Sequence, residues 1–187
     1  MIASQNSGIK VSVYIALSLD GYIAKKDGSI DWLRGNAEPD PGEDYGFQSF
    51  FDNVDALVMG RHTFDKVLDF EGWAYGEKPV FVLTHRPVDM PAELNDRVTL
   101  LQGDPEKIVT QLAERGLKQL YVDGGETICQ FLNAGLVDTL TLTRIPVLLG
   151  EGIPLFGLLE RELRWKHIKT RSYPDDLVQS TYRLMDE

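Results

Sequence analysis

Residues 56–63 read Ala-Leu-Val-Met-Gly-Arg-His-Thr, and the order of residue types here decides the fold class. Four apolar residues in a row suit a short buried strand. Gly60 ends the run, and Arg61, His62 and Thr63 open a short helix reaching about Leu68. A buried strand that passes at once into a helix is the first half of a strand–helix–strand unit, from which parallel sheets are built.

The same alternation continues downstream. Residues 79–84 (PVFVLT) form a strand that ends in the polar turn His85-Arg86-Pro87, and residues 98–101 form another. Asp104-Pro105-Glu106 opens a helix with Ile108 and Leu112 on its apolar side, and Gly116 closes it. Leu120-Tyr121-Val122 is a strand running into Asp123-Gly124-Gly125-Glu126. A helix through Ile128, Phe131 and Leu132 ends near Gly135, and residues 137–149 form a long strand region. Residues 164–173 and 177–185 read as a hairpin around Pro174-Asp175-Asp176.

Upstream, residues 11–19 alternate strictly between apolar and other residues, the period of a strand with one apolar face. Asp20-Gly21 turns the chain into a loop that runs through Trp32 to about Pro39. A helix is expected next, with Asp40 as N-cap, Pro41 in its first position and Glu43 at capping-box spacing. Phe47, Phe51 and Val54 fall on one face of it. The sum is an α/β fold: a central, mostly parallel sheet with helices on both faces and an antiparallel C-terminal edge hairpin. Residues 8–187 form one domain, and residues 1–7, small and polar, are expected to be a flexible N-terminus.

Composition narrows the function classes. The chain has 187 residues and a net charge of −10, which argues against a nucleic-acid partner or an anionic membrane surface. No run approaches 18 apolar residues, so no membrane span is expected. One cysteine, Cys129, leaves no internal disulfide and fits a reducing, cytoplasmic setting. His62, His85 and His167 share no ligand-like spacing, so no metal is expected.

Parallel sheets bind ligands beyond the carboxyl ends of their strands. Three strands here end in phosphate-compatible segments: Gly60-Arg61-His62-Thr63, Thr84-His85-Arg86 and Gly124-Gly125-Glu126-Thr127. Two of them open helices, whose free N–H groups and positive dipole ends would face the crevice, while Arg61 and Arg86 offer forked contacts to phosphate. Asp44 is the second feature. At helical spacing it shares a stripe with Phe47 and Phe51, where apolar neighbours would raise its pKa. The alternative is that Asp44 is simply an acid favoured in a first helical turn by the macrodipole.

Taken in order, these segments resemble dihydrofolate reductases. Residues 13–24 (VYIALSLDGYIA) resemble that family's first strand and its turn into a mobile loop, and Ile30-Asp31-Trp32-Leu33 the segment around the loop's tryptophan. Residues 57–64 (LVMGRHTF) resemble the strand-to-helix motif most specifically. Residues 78–84 resemble the next nucleotide strand, and residues 122–132 (VDGGETICQFL) a glycine-pair helix start that in the family carries a cis Gly-Gly bond. Residues 140–145 (LTLTRI) resemble the strand with the active-site threonine. Residues 134–138 and 146–150 look more like the reductase domain of riboflavin biosynthesis, which acts on 5-amino-6-(5-phosphoribosylamino)uracil.

The resemblance implies a dihydrofolate reductase-like three-layer fold and an NADPH-dependent oxidoreductase with a small-molecule substrate. Ala16 and Ile23 match positions flanking the nicotinamide. Gly60, Arg61, His62 and Thr63 match the 2′-phosphate and pyrophosphate site, with Thr84, His85 and Arg86 beside the adenosine and Gly124, Gly125, Glu126 and Thr127 at the pyrophosphate turn. Asp44 matches the catalytic acid and Thr143 the threonine that orients it. Trp32, Phe47 and Gln48 are the expected substrate contacts, residues 27–32 the expected lid, and a homodimer the expected assembly.

Three departures accompany the match. Gly76-Glu77-Lys78 stands where folate reductases carry the arginine that grips the folate tail, so a carboxylate there disfavours dihydrofolate. Glu126 puts a negative charge after the glycine pair, and no zinc-deaminase signature is present. The substrate classes left open are a ribosylamino-pyrimidinedione, a small carbonyl or imine, and then dihydrofolate. The rival reading is a non-catalytic nucleotide-binding or dimerisation module.

Overall fold

The computed structural model describes residues 8–34 and 42–185. Its main sheet has eight strands. β1 (Lys10–Ser18) lies near its middle, between β6 (Gln119–Asp123) and β7 (Thr139–Ile145). Beyond β6 come β3 (Ala56–Gly60), β4 (Val80–Leu83) and β5 (Val98–Leu101), all parallel. Beyond β7 come β10 (Val178–Leu184), antiparallel to it, and β9 (Trp165–Ser172) at the edge. These two strands are the expected C-terminal hairpin.

Period-two burial explains why helices cover both faces. From β3, Ala56 and Val58 enter one core with Ile108 and Leu112 of α3 (Pro105–Glu114) and Ile128 and Phe131 of α4 (Gly125–Asn133). Leu57 and Met59 enter the other, with Phe64 and Val67 of α2 (Arg61–Leu68) and the phenylalanines of α1 (Phe47–Asp52). Every one of these β3 residues is fully buried, which is why the apolar run in the sequence is continuous rather than alternating.

The topology also positions a site. After β3 the chain crosses through α2 outward to β4, whereas after β6 it crosses through α4 the other way, past β1, to β7. Neighbouring strands whose following helices leave in opposite directions open a crevice at their carboxyl ends.

Two segments differ from expectation. The loop after Asp20 contains a short strand, β2 (Tyr22–Ala24), paired antiparallel with β8 (Ile153–Pro154). Strands of three and two residues carry too little periodicity to be read. The expected helix start also moves: Asp40 and Pro41 lie outside the described residues, and α1 begins only at Phe47. Before it, Gly42, Tyr45 and Gly46 all take positive φ, at 86°, 57° and 85°, which no helix tolerates. Glu43 closes no capping box; its carboxylate accepts the Tyr45 N–H at 2.7 Å.

Candidate active site

The crevice is a cleft of about 1400 Å³, lined from β1, β3, β4, β5 and β6, α2 and α4. All the residues expected at a cofactor line it, from Ala16 and Ile23 through residues 60–63 and 84–86 to residues 124–127. Segments more than a hundred residues apart in sequence therefore meet on one rim.

Close backbone approach makes the rim. A Cβ on Gly60 would stand 2.9 Å from Thr127 Oγ1, and one on Gly125 would stand 2.9 Å from Ile23 Cδ1 and 3.1 Å from the Pro154 carbonyl. Gly124 has φ +90°, and a Cβ there would run into the Thr63 hydroxyl. The turn is made by this left-handed residue, and no cis peptide occurs among the described residues, so the cis Gly-Gly bond of the resemblance is absent. Neither α2 nor α4 has a side-chain N-cap. Their first-turn N–H groups carry no capping side chain, and the two helix starts line the same space.

The two arginines differ. Arg61 is tied on both sides, Nε to Asp65 at 3.2 Å and Nη1 to the Pro87 carbonyl at 2.6 Å. Arg86 is anchored only through its backbone, which bonds the Thr84 hydroxyl at 3.0 and 3.1 Å. Its guanidinium has no partner among the described residues, so it is the more available fork. Glu126 is exposed in the first turn of α4.

The floor carries a carboxylate that sequence reasoning passed over. Asp123 ends β6, lines the cleft beside Tyr14, Tyr75 and Tyr121, and accepts the Gly124 N–H at 2.8 Å. Burial raises its pKa to about 6, against the lowering effect of that N–H. Burial also pushes the Tyr75 and Tyr121 phenols up, with Asp123 adding to both. Tyr121 donates to the Tyr14 carbonyl at 2.9 Å, which holds the floor together. The available signal was a carboxylate closing an apolar strand; the glycine pair after it drew the attention.

The other expected site residues do not reach the cleft. Asp44 is exposed, lies ahead of α1 and accepts the N–H groups of Gly46 and Gln48, each at 2.8 Å. Those bonds lower its pKa, the opposite of the raised value expected from a helical stripe. Thr143 is buried and accepts from Gln179 Nε2 at 3.0 Å rather than facing Asp44. Trp32 packs in a core with Ile145, Tyr173 and Leu177, because the 3₁₀ turn at Asp31–Arg34 directs it inward. Gln48 is exposed and bonds Asp52 at 2.7 Å. Phe47 stands behind the floor, edge-on to Tyr14 at 5.5 Å.

Two further expectations change in detail. From the expected lid, Asp27, Gly28 and Ile30 line the cleft together with the preceding Lys26, which pairs with Glu151 at 2.6 Å. Glu77 does not line the cleft; it pairs with Arg97 at the amino ends of β4 and β5. Among the described residues no helix is long and apolar enough to cross a membrane.

Comparison with known proteins agrees with this fold. A family model described as the RibD C-terminal domain matches residues 9–179. The uncharacterized protein YwjB of Bacillus subtilis is 34% identical, over 88% of this chain and 92% of its own. A putative riboflavin biosynthesis protein from Shewanella sp. PV-4 superposes with a TM-score of 0.89 at 44% identity, covering 95% of this chain and all of that one. The dihydrofolate reductase of Enterococcus faecalis, complexed with NADP(H), gives a TM-score of 0.65 at 21% identity over 96% and 98% of the two chains. The architecture is dihydrofolate reductase-like.

Proposed function

This chain belongs to the RibD C-terminal domain family, and we propose that it is an NADPH-dependent reductase of a C=N or C=O bond in a small heterocycle, ribosylamino-pyrimidines included. One observation carries the reading: α2 and α4 present uncapped N-termini and side-chain-free glycines to a single crevice beside Arg86. The fit to a dinucleotide pyrophosphate rests on the two uncapped helix starts lining one crevice, while Gly60, Gly124 and Gly125 allow the close packing that brings them there, since a Cβ at each would meet Thr127, Thr63 or Ile23. Arg86 would take the 2′-phosphate, and Ala16 and Ile23 would flank the nicotinamide. When bound there, NADPH supplies a hydride.

The chain's own share is positioning and a proton. The wall of Tyr14, Tyr75 and Tyr121 holds a flat acceptor against the cofactor's place and excludes water. Asp123, with a pKa of about 6, holds a proton at the floor and delivers it to the acceptor nitrogen or oxygen as the neighbouring carbon is reduced; solvent then reprotonates it. Asp44 is assigned the cap of α1 rather than this proton.

A second reading is a nucleotide-binding module without turnover, favoured by Glu126 in the first turn of α4, where negative charge opposes a pyrophosphate. NADPH oxidation against a panel of pterins, pyrimidinediones and small carbonyls separates the two. The reductase reading expects turnover with at least one class, falling as pH rises through about 6. Saturable NADPH binding with no turnover across the panel would favour the module.

A further inference from the structure

On the α1 side of the sheet, the side chains of β1, β7, β10 and β9 form straight cross-strand rows. Tyr14 pairs with Thr141, Thr141 with Thr181, and Thr181 with Lys169. Together with α1 this row walls a separate pocket of about 410 Å³. Tyr14 is shared with the cleft, its ring closing one end of the pocket.

The pocket's charges are set for an anion. Lys169 has no ion pair or hydrogen bond among the described residues. Arg171, two residues on and on the same face, stacks over Tyr173 at 4.4 Å, which fixes the guanidinium plane. Its one ion pair among the described residues is to Glu43 at 3.4 Å. Two like charges thus stand side by side on one strand face in a chain of net charge −10, and among the described residues Glu43 is paired to Arg171 alone. Between these cations and Tyr14 the floor is hydroxyl-bearing: Ser12, Thr141 and Thr181. The volume lies within the range of small-molecule sites.

We propose that this pocket is a second ligand site, for a sugar phosphate: Lys169 and Arg171 hold the phosphate and the hydroxyl row holds the sugar. It stands independently of the reductase reading, since none of the cofactor rim lines it. Isothermal titration of the full chain with ribose 5-phosphate, inorganic phosphate and ribose tests it. One equivalent of ribose 5-phosphate should bind at least fivefold more tightly than phosphate or ribose alone. Lys169→Ala with Arg171→Ala, both exposed positions, should weaken it tenfold or more, and Arg86→Ala should leave it within twofold. No saturable heat, an unchanged affinity in the double variant, or a loss in Arg86→Ala would overturn the proposal, the last by moving the ligand into the cleft.

Discussion

Asp44, ahead of α1, and Asp123, ahead of α4, are the same side chain in two opposite settings. The first is exposed and accepts two backbone N–H groups, and its pKa falls. The second stands at a strand end among phenols, accepts one N–H, and its pKa rises to about 6. Both precede a helix start, so position in the pattern does not separate them. Burial and the number of donors do: a carboxylate with several N–H partners is held ionised, and one drawn into the wall of a cleft with a single N–H partner holds its proton more tightly.

That contrast can be broken by substitution. Asp123→Asn should lower kcat by about 100-fold or more while leaving NADPH affinity within threefold; Asp44→Asn should change kcat by less than threefold. The reverse order in steady-state kinetics would exchange the two roles. Gly124→Ala should destabilise the protein by about 2 kcal/mol, from its positive φ and the Thr63 contact, and weaken NADPH in a fluorescence titration. Normal stability and affinity there would remove the tight turn from the account.

Stability against pH sharpens the comparison further. Asp123 binds its proton better folded than unfolded, so its contribution is complete below about pH 4 and is lost as pH rises through about 6. Denaturant melts of the wild type should therefore lose about 2 kcal/mol relative to Asp123→Asn between pH 4 and pH 8. Asp44 has the opposite sign: its contribution is present above the unfolded pKa and disappears as pH falls below it. Asp44→Asn should thus lower Tm slightly at pH 7 and not at pH 2, the smallest effect of the set.

What could be read from sequence follows the range of the forces involved. The strand–glycine–helix segments at Gly60 and Gly124 are local, since burial of an apolar run and a free helix start are written in adjacent residues; the rim they form was legible. The β2–β8 pairing joins segments about 130 residues apart through a few backbone bonds and leaves no periodic trace. The α1 start misled because Asp40, Pro41 and Glu43 match a cap by spacing, while Gly42, Tyr45 and Gly46 take left-handed conformations that spacing does not register. Trp32 and Thr143 were assigned to the site by likeness, yet their surroundings are a core with Tyr173 and a bond from Gln179, both supplied by the distant C-terminal hairpin. Asp123 was in view, but its raised pKa comes from burial in the cleft wall near Tyr75 and Tyr121, which only the fold brings together.

The most direct trial of the account is the fluorescence of NADPH titrated with wild-type protein and with Arg86→Ala. A dinucleotide held between α2 and α4 predicts a saturable change at one equivalent, at least tenfold weaker in the variant, with NADH affinity unaltered by the substitution. An unsaturable signal, or equal NADPH affinity in both proteins, would contradict it.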